Sequence, residues 1–186
     1  IVSTIGSPLY GLSKWVDYWL QQVARKVPSY LRDSFDTKCK LQALGPLPTN
    51  ARLFTMDAVS MYTNIDIDHS IASLRTYLPT IDLPANFPTD EVLEGLRLVM
   101  ENNIFQFGDT YWRQLIGSAM GTPTACSSAT IYFAPHEAHL LERFRLRLPW
   151  LARFIDDGIG LWLIADSKSE DKKEWSKLTT MLDAFG

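Results

Sequence analysis

A chain of 186 residues with 46% apolar content is long enough to bury one hydrophobic core and too short for two comfortable domains. Its net charge of −3 argues mildly against a free-standing nucleic-acid-binding module, which usually carries a basic surplus. No apolar run has the length of a membrane span and no charged-then-apolar leader opens the chain, so we expect a soluble, unprocessed protein. Cys39 and Cys126 lie far apart without metal-ligand spacing, which favours reduced thiols in an intracellular compartment.

Two helices are predicted before residue 50. Apolar and aromatic residues recur every three or four positions after Ser7, which predicts an amphipathic helix from about Pro8 to Arg25 with Ser7 as its cap. A second, shorter helix should begin near Asp33 or Ser34.

An apolar run then contains a single acid. The segment from Arg52 to Val59 reads R-L-F-T-M-D-A-V, which is typical of a central strand covered on both faces. An ionised carboxylate at the end of a buried strand costs several kcal/mol unless a cation, a partner or solvent compensates. Asp57 is therefore either the cap of a turn or a functional residue, and the segment alone favours neither.

Two helices and a hairpin are predicted next. Asp66 should cap a helix that Pro79 ends, and Thr89 should cap another. Two alternating runs around Gly108-Asp109 predict a β-hairpin.

Small residues dominate the segment from Ile116 to Ala129. Thr122-Pro123 can start a helix. One face of that helix would allow close approach either by another backbone, as tight packing, or by a ligand. This face consists of Ala125, Ser128 and Ala129.

A second hairpin is predicted between Leu151 and Trp162. Two adjacent aspartates, Asp156 and Asp157, precede Gly158, and Asp-Gly can supply the positive φ angles of a two-residue turn. The two carboxylates are either part of a plain turn or half of a divalent-cation site that needs a further carboxylate.

The order of these features suggests a site. A strand-end aspartate, a small-residue loop before a helix and an aspartate pair at a hairpin follow one another along the chain. Carboxylates on neighbouring strand ends can hold two cations about 3.5 to 4 Å apart for phosphoryl transfer.

Three segments together resemble motifs A, B and C of reverse transcriptases, and their residues are most similar to those of the Penelope-like retroelements. They are F-T-M-D-A-V-S-M-Y-T-N-I, G-S-A-M-G-T-P and R-F-I-D-D, and the opening I-V-S-T-I-G-S-P-L-Y and the later R-D-S-F-D also resemble that family. The resemblance implies an α+β polymerase palm, with a ferredoxin-like (RRM-like) antiparallel sheet packed on helices. It further implies a partial right-hand polymerase lacking most of the fingers and the thumb, with a helical segment at 1–50 and the palm at 51–186.

The resemblance also implies roles for individual residues. Asp57 and Asp156 would bind both Mg²⁺ ions, Asp157 would be a secondary ligand, and Ala58 would contribute its backbone carbonyl. Tyr62 matches the aromatic steric gate that excludes a 2′-hydroxyl. The loop of motif B, which contacts nucleotide and template, would consist of Gly117, Met120, Gly121 and Pro123.

The implied function is RNA-directed DNA synthesis with two Mg²⁺ ions, or Mn²⁺ in their place. Its partners would be an RNA template, a DNA primer and deoxynucleoside triphosphates, without a membrane, and the implied compartment is the nucleus. The 186 residues alone are expected to show little activity. Two alternatives stay open, namely an inactive retroelement remnant that binds nucleic acid or protein, and a metal-dependent nuclease.

Overall fold

The computed structural model describes residues 4–184 as a mixed α+β structure. The first three residues of the opening segment, together with Phe185 and Gly186, lie outside this range. In chain order the described elements are α1 Tyr10–Ala24, α2 Ser34–Ala43, β1 Ala51–Asp57, α3 Met61–Asn64, α4 Ile67–Tyr77, a 3-10 turn Leu78–Thr80, α5 Thr89–Glu101, β2 Ile104–Phe107, β3 Thr110–Arg113, α6 Thr124–Arg143, β4 Trp150–Phe154, β5 Asp157–Leu163 and α7 Lys168–Asp183.

The chain divides into two compact units. The described part of the first covers residues 4–27 and 60–132, and that of the second covers 28–59 and 133–184. The prediction of a helical segment at 1–50 followed by a palm at 51–186 stays a prediction. No helix in the described part combines the length and apolarity needed to cross a membrane.

Side-chain caps fix two of the helix starts that the sequence predicts. Asp33 accepts a hydrogen bond from the amide of Asp36 at 2.7 Å, and Asp66 accepts one from the amide of His69 at 2.7 Å. Each bond satisfies an amide that has no partner within its own helix. The predicted start of α2 and the predicted cap of α4 are therefore confirmed.

Two other predicted caps are wrong. The backbone carbonyl of Ser7 accepts from the amide of Tyr10 at 3.1 Å, so Ser7 lies in a turn and the helix begins at Tyr10. Thr89 is the first residue of α5 rather than its cap, because the carbonyl of Pro88 accepts from the amide of Val92 at 2.9 Å.

The first unit is a helical layer with a separate hairpin. Helix α5 contacts both α1 and α4, and each helix buries apolar residues three or four positions apart, as one stripe of an amphipathic helix should. Strands β2 and β3 pair antiparallel around Gly108, whose φ of 62° confirms the predicted turn. The buried stripe residues include Val16, Leu20 and Val23 of α1, Ile71 and Leu74 of α4, and Val92, Leu96 and Val99 of α5.

The second unit contains a three-stranded antiparallel sheet of order β1-β5-β4. The strand predicted to be central, β1, is an edge strand and is largely exposed, because β5 is its one partner among the described strands. The central position belongs to β5, which begins at the second residue of the aspartate pair.

One face of this sheet carries the core of the second unit. A buried cluster forms where the last turns of α6 and the helix α7 pack on the sheet. The rings of Phe54 and Trp162 each lie edge-on to Trp175, with centroids 5.2 and 5.3 Å apart. The buried members of the cluster are Leu140, Phe144, Leu148, Leu151, Trp162 and Leu178.

Two glycines in β5 fit the strand pairing. Gly158 lies opposite Met56, and Gly160 lies opposite Phe54. A Cβ atom at either glycine would overlap the side chain opposite it. The glycines thus leave room for the Met56 and Phe54 side chains to cross β5 toward the core.

Candidate active site

The pairing of β1 with β5 places two of the predicted carboxylates side by side. Asp57 is the last residue of β1 and is the register partner of Asp157, the first residue of β5. Directly opposite residues of an antiparallel pair project to the same face, with Cβ atoms about 4.5–5.5 Å apart. Because Met56 and Gly158 point to the core face, Asp57 and Asp157 point to the opposite face.

Asp156 lies beside this pair, in the turn that joins β4 to β5. Phe154 and Asp157 are register partners, so Ile155 and Asp156 form a two-residue loop. The carbonyl of Asp156 accepts a hydrogen bond from the amide of Ala58 at 3.1 Å, which ties the turn to the end of β1. The register pair and this hydrogen bond therefore place the backbones of Asp57, Ala58, Asp156 and Asp157 beside one another in the second unit.

The turn is not the Asp-Gly turn that the sequence suggested. Gly158 pairs within β5 rather than in the turn, and the positive φ, 58°, falls on Ile155. A positive φ at the first central residue is the pattern of a type II′ turn, a position that usually holds glycine. A β-branched residue there is strained by about 1–3 kcal/mol, and such strain is common at functional sites.

The expectation that Asp57 ends a buried strand is also wrong. Asp57 and Asp157 are exposed and Asp156 is partly buried. Solvent therefore stabilises the two exposed charges, and burial does not explain why Asp57 is an aspartate. The two carboxylates lie directly opposite each other, however, and like charges in that position destabilise a sheet unless a cation neutralises them.

The arrangement fits a magnesium site and not a closed metal centre. In the described part of the chain, no group of three or more His, Cys, Asp or Glu side chains could hold a metal by itself. Mg²⁺ commonly binds through one or two carboxylates and keeps its other positions for water and substrate phosphates. The exposed pair of Asp57 and Asp157 is a donor set of that open kind.

Tyr62, the predicted steric gate, lies in the first unit on the short helix α3. Its hydroxyl is 3.3 Å from the Sγ of Cys126, near the start of α6, and its carbonyl accepts from the amide of Ser118 at 2.6 Å. Tyr62 is thus held by Ser118, in the segment that resembles motif B, and by Cys126 of α6. Cys126 was not predicted to take part, because its only sequence signal was a lone thiol.

Gly117 makes the closest of these contacts. Its φ is +85°, and a Cβ atom there would lie 2.5 Å from the carbonyl oxygen of Tyr62 and 2.8 Å from the Cα of Thr63. Both observations require glycine, the first through backbone conformation and the second through space. At Gly117 the loop thus lies against the backbone that carries Tyr62, and the predicted contact of this loop with nucleotide and template stays a prediction.

The other motif B residues form the entry to α6. Met120 is half exposed, Gly121 accepts a hydrogen bond at its carbonyl from the Thr4 hydroxyl at 2.9 Å, and Pro123 directly precedes the helix. The small face of the helix is buried, which favours packing over ligand contact for these residues. They are Ala125, Ser128 and Ala129.

Comparison with solved structures gives the fold class. Apo telomerase from Candida tropicalis, truncated from its C-terminal domain, matches with a TM-score of 0.63 at 14% identity, over 98% of this chain and 39% of that chain. Telomerase from Candida albicans, in complex with a TWJ fragment of telomeric RNA, matches with a TM-score of 0.63 at 12% identity, over 95% of this chain and 33% of that chain. Telomerase is related to reverse transcriptases. This chain has a reverse-transcriptase-like fold.

The reverse-transcriptase-like fold is what these matches show, since identities this low carry no further property. The chain spans between a third and two fifths of the length of the two telomerases. No protein-family model matches it, and no curated protein does.

Three further residues next to the site were not predicted. Arg153, Glu137 and Ser29 are buried and bonded to one another directly behind the aspartate turn. In the sequence, Arg153 is the first residue of R-F-I-D-D, and no role was predicted for it. Arg153 lies two residues after Leu151, on the same inward-facing side of β4, and this position is the signal that could have indicated its burial.

Gly117→Ala should destabilise the chain. The added methyl group overlaps the Tyr62 carbonyl and opposes the positive φ, and we expect a loss of about 1–3 kcal/mol in the free energy of unfolding. Gly11→Ala is the matched control, because Gly11 lies in α1 with open space around its Cβ position and should gain about 0.5–1 kcal/mol. Chemical denaturation of both variants measures the difference, and equal effects would contradict the close approach at Gly117.

Asp57→Asn should stabilise the chain in the absence of divalent cations. Removing one of two opposed charges relieves repulsion of about 0.2–1 kcal/mol. Mg²⁺ should raise the thermal midpoint of the wild type and have a smaller effect on the variant. Differential scanning calorimetry with EDTA and with Mg²⁺ checks both, and a variant less stable than the wild type in EDTA would disprove the repulsion.

Proposed function

We propose that this chain is the palm of an RNA-directed DNA polymerase of the Penelope-like type. The observation that carries the proposal is the pairing of Asp57 with Asp157 beside the Asp156 turn, on the sheet face opposite the core, in a reverse-transcriptase-like fold. Two of the matched telomerases were solved with a fragment of telomeric RNA, which supports a nucleic-acid substrate. The nuclear location expected from the sequence is part of this proposal.

The chain's own contribution is to hold carboxylates that would position cations next to the negative charge that develops during phosphoryl transfer. Asp57, Asp156 and Asp157 would hold two Mg²⁺ ions, and the carbonyl of Ala58 would complete the set. When bound, such ions lower the pKa of the primer 3′-hydroxyl and neutralise charge on the pyrophosphate leaving group. The hydrogen bond from Ala58 to the Asp156 carbonyl fixes the turn to the strand end before substrate arrives, so little reorganisation is needed.

Tyr62 would set the preference for deoxyribonucleotides. A steric gate discriminates only if its ring cannot move aside, and Tyr62 is held at its hydroxyl by Cys126 and at its backbone by Ser118. The Gly117 contact with the Tyr62 carbonyl limits the backbone as well. These contacts support the steric-gate role that the motif implies.

Asp156→Ala should reduce primer extension by on the order of 10²–10³ or more, because it removes a group that stabilises charge in the transition state. The full-length gene product, a primed RNA template, deoxynucleotides and Mg²⁺ make the assay. Asp166→Ala is the control, since Asp166 is an exposed aspartate of the same unit beyond β5.

Full activity in the Asp156 variant would refute the polymerase assignment. Binding of primer-template by a wild type that never extends it would favour the inactive binding remnant instead. Cleavage without extension would favour the nuclease.

Tyr62→Ala should admit ribonucleotides, because the side chain that would collide with the 2′-hydroxyl is gone. We expect the ratio of kcat/KM for ribonucleotide to that for deoxyribonucleotide to rise by about tenfold or more. Tyr111→Ala, at an exposed tyrosine on β3, is the control. An unchanged ratio in the Tyr62 variant would exclude the gate.

A further inference from the structure

A buried ion pair lies behind the aspartate turn. Arg153 of β4 and Glu137 of α6 are each 4% exposed, and the Nε of Arg153 donates to the Oε1 of Glu137. The hydroxyl of Ser29, 2% exposed, donates to the other carboxylate oxygen of Glu137. The guanidinium also lies over the ring of Phe133, 5.1 Å from its centroid. Both oxygens of the buried carboxylate therefore have donors.

The backbone of Arg153 is fixed as firmly as its side chain. Its amide donates to the carbonyl of Ser29 at 2.7 Å, and its carbonyl accepts from the amide of Leu31 at 2.9 Å. These bonds form a parallel bridge between Tyr30 and Arg153 on the side of β4 that does not face β5. The guanidinium is thereby anchored to a rigid strand.

The same guanidinium reaches forward to the turn. The Nη1 of Arg153 donates to the carbonyl oxygen of Ile155 at 2.6 Å. Ile155 is the residue with the positive φ, and the next carbonyl, that of Asp156, accepts from the amide of Ala58. A continuous series of bonds thus runs from Glu137 through Arg153 to the turn and on to the end of β1.

Stability alone does not account for an ion pair at this place. Removing two charges from water is costly, and well-packed apolar residues of similar size often stabilise a protein equally well or better. The planar fork of an arginine, however, can donate to a carboxylate and to a carbonyl in fixed directions. Polar groups behind metal ligands commonly orient those ligands.

We propose that Arg153 is a positioning residue for the aspartate turn. Held by Glu137, it keeps the Ile155 carbonyl in the strained turn conformation, so that Asp156 and Asp157 stay beside Asp57. The inference rests on the proposed function, since the position of the carboxylates matters for the cations that they would bind.

A paired substitution separates positioning from stability. In the variant Arg153→Met with Glu137→Leu, apolar side chains replace both charges, so the chain should fold with a melting midpoint close to that of the wild type. The bond to Ile155 is lost, and we expect Mn²⁺ affinity and kcat for primer extension to fall about 10–100-fold, with a smaller change in KM. The amide of Ala58 should also exchange with solvent faster.

The control pair is Arg147 with Glu170, an ion pair of 2.8 Å in the same unit that is more exposed. Arg147→Met with Glu170→Gln should leave Mn²⁺ affinity, kcat and Ala58 exchange unchanged. Mn²⁺ binding is read by electron paramagnetic resonance on the full chain, and amide exchange by NMR.

Arg153→Lys covers the case in which the double variant does not fold. Lysine keeps the charge beside Glu137 and lacks the fork that also reaches Ile155, so the same losses are expected in a folded chain.

A folded variant of either kind with wild-type Mn²⁺ affinity, kcat and Ala58 exchange would overturn the positioning role and leave the proposed function intact. If the wild type binds no Mn²⁺ and Asp156→Ala leaves primer extension unchanged, the proposed function and the positioning role are both overturned.

Discussion

The register between β1 and β5 is the constraint on which the candidate site depends. Antiparallel strands alternate their side chains, so a shift of one residue would move every side chain of β1 to the other face. Met56 and Phe54 fit only opposite Gly158 and Gly160, because any larger residue there would overlap them. The same alignment that fills the core therefore places Asp57 opposite Asp157 on the other face.

The aspartate turn destabilises the strand pairing that the packing of the core stabilises. The core face favours the strand pairing, whereas opposed carboxylates and a positive φ at Ile155 act against it. The bonds from Arg153 and Ala58 hold the turn in this conformation. A local conflict that the surroundings stabilise is expected where selection acts on chemistry rather than on stability.

The first unit uses a backbone contact in a similar way. Gly117 packs against the backbone at Tyr62, and this contact is possible because glycine has no side chain. Glycine positions in both units thus allow the close contacts beside the candidate site residues.

The sequence by itself determined the positions of most helices and hairpins, because caps, turn residues and apolar periodicity act over only a few residues. Asp33, Asp66 and the turn at Gly108 were predicted for this reason. Only the tertiary structure decided that β1 is an edge strand, that the turn is centred on Ile155, and that Arg153 is buried with Glu137. Strand order, register and ion pairing join residues far apart in the chain, and local pattern carries no information about which distant segment will be the partner.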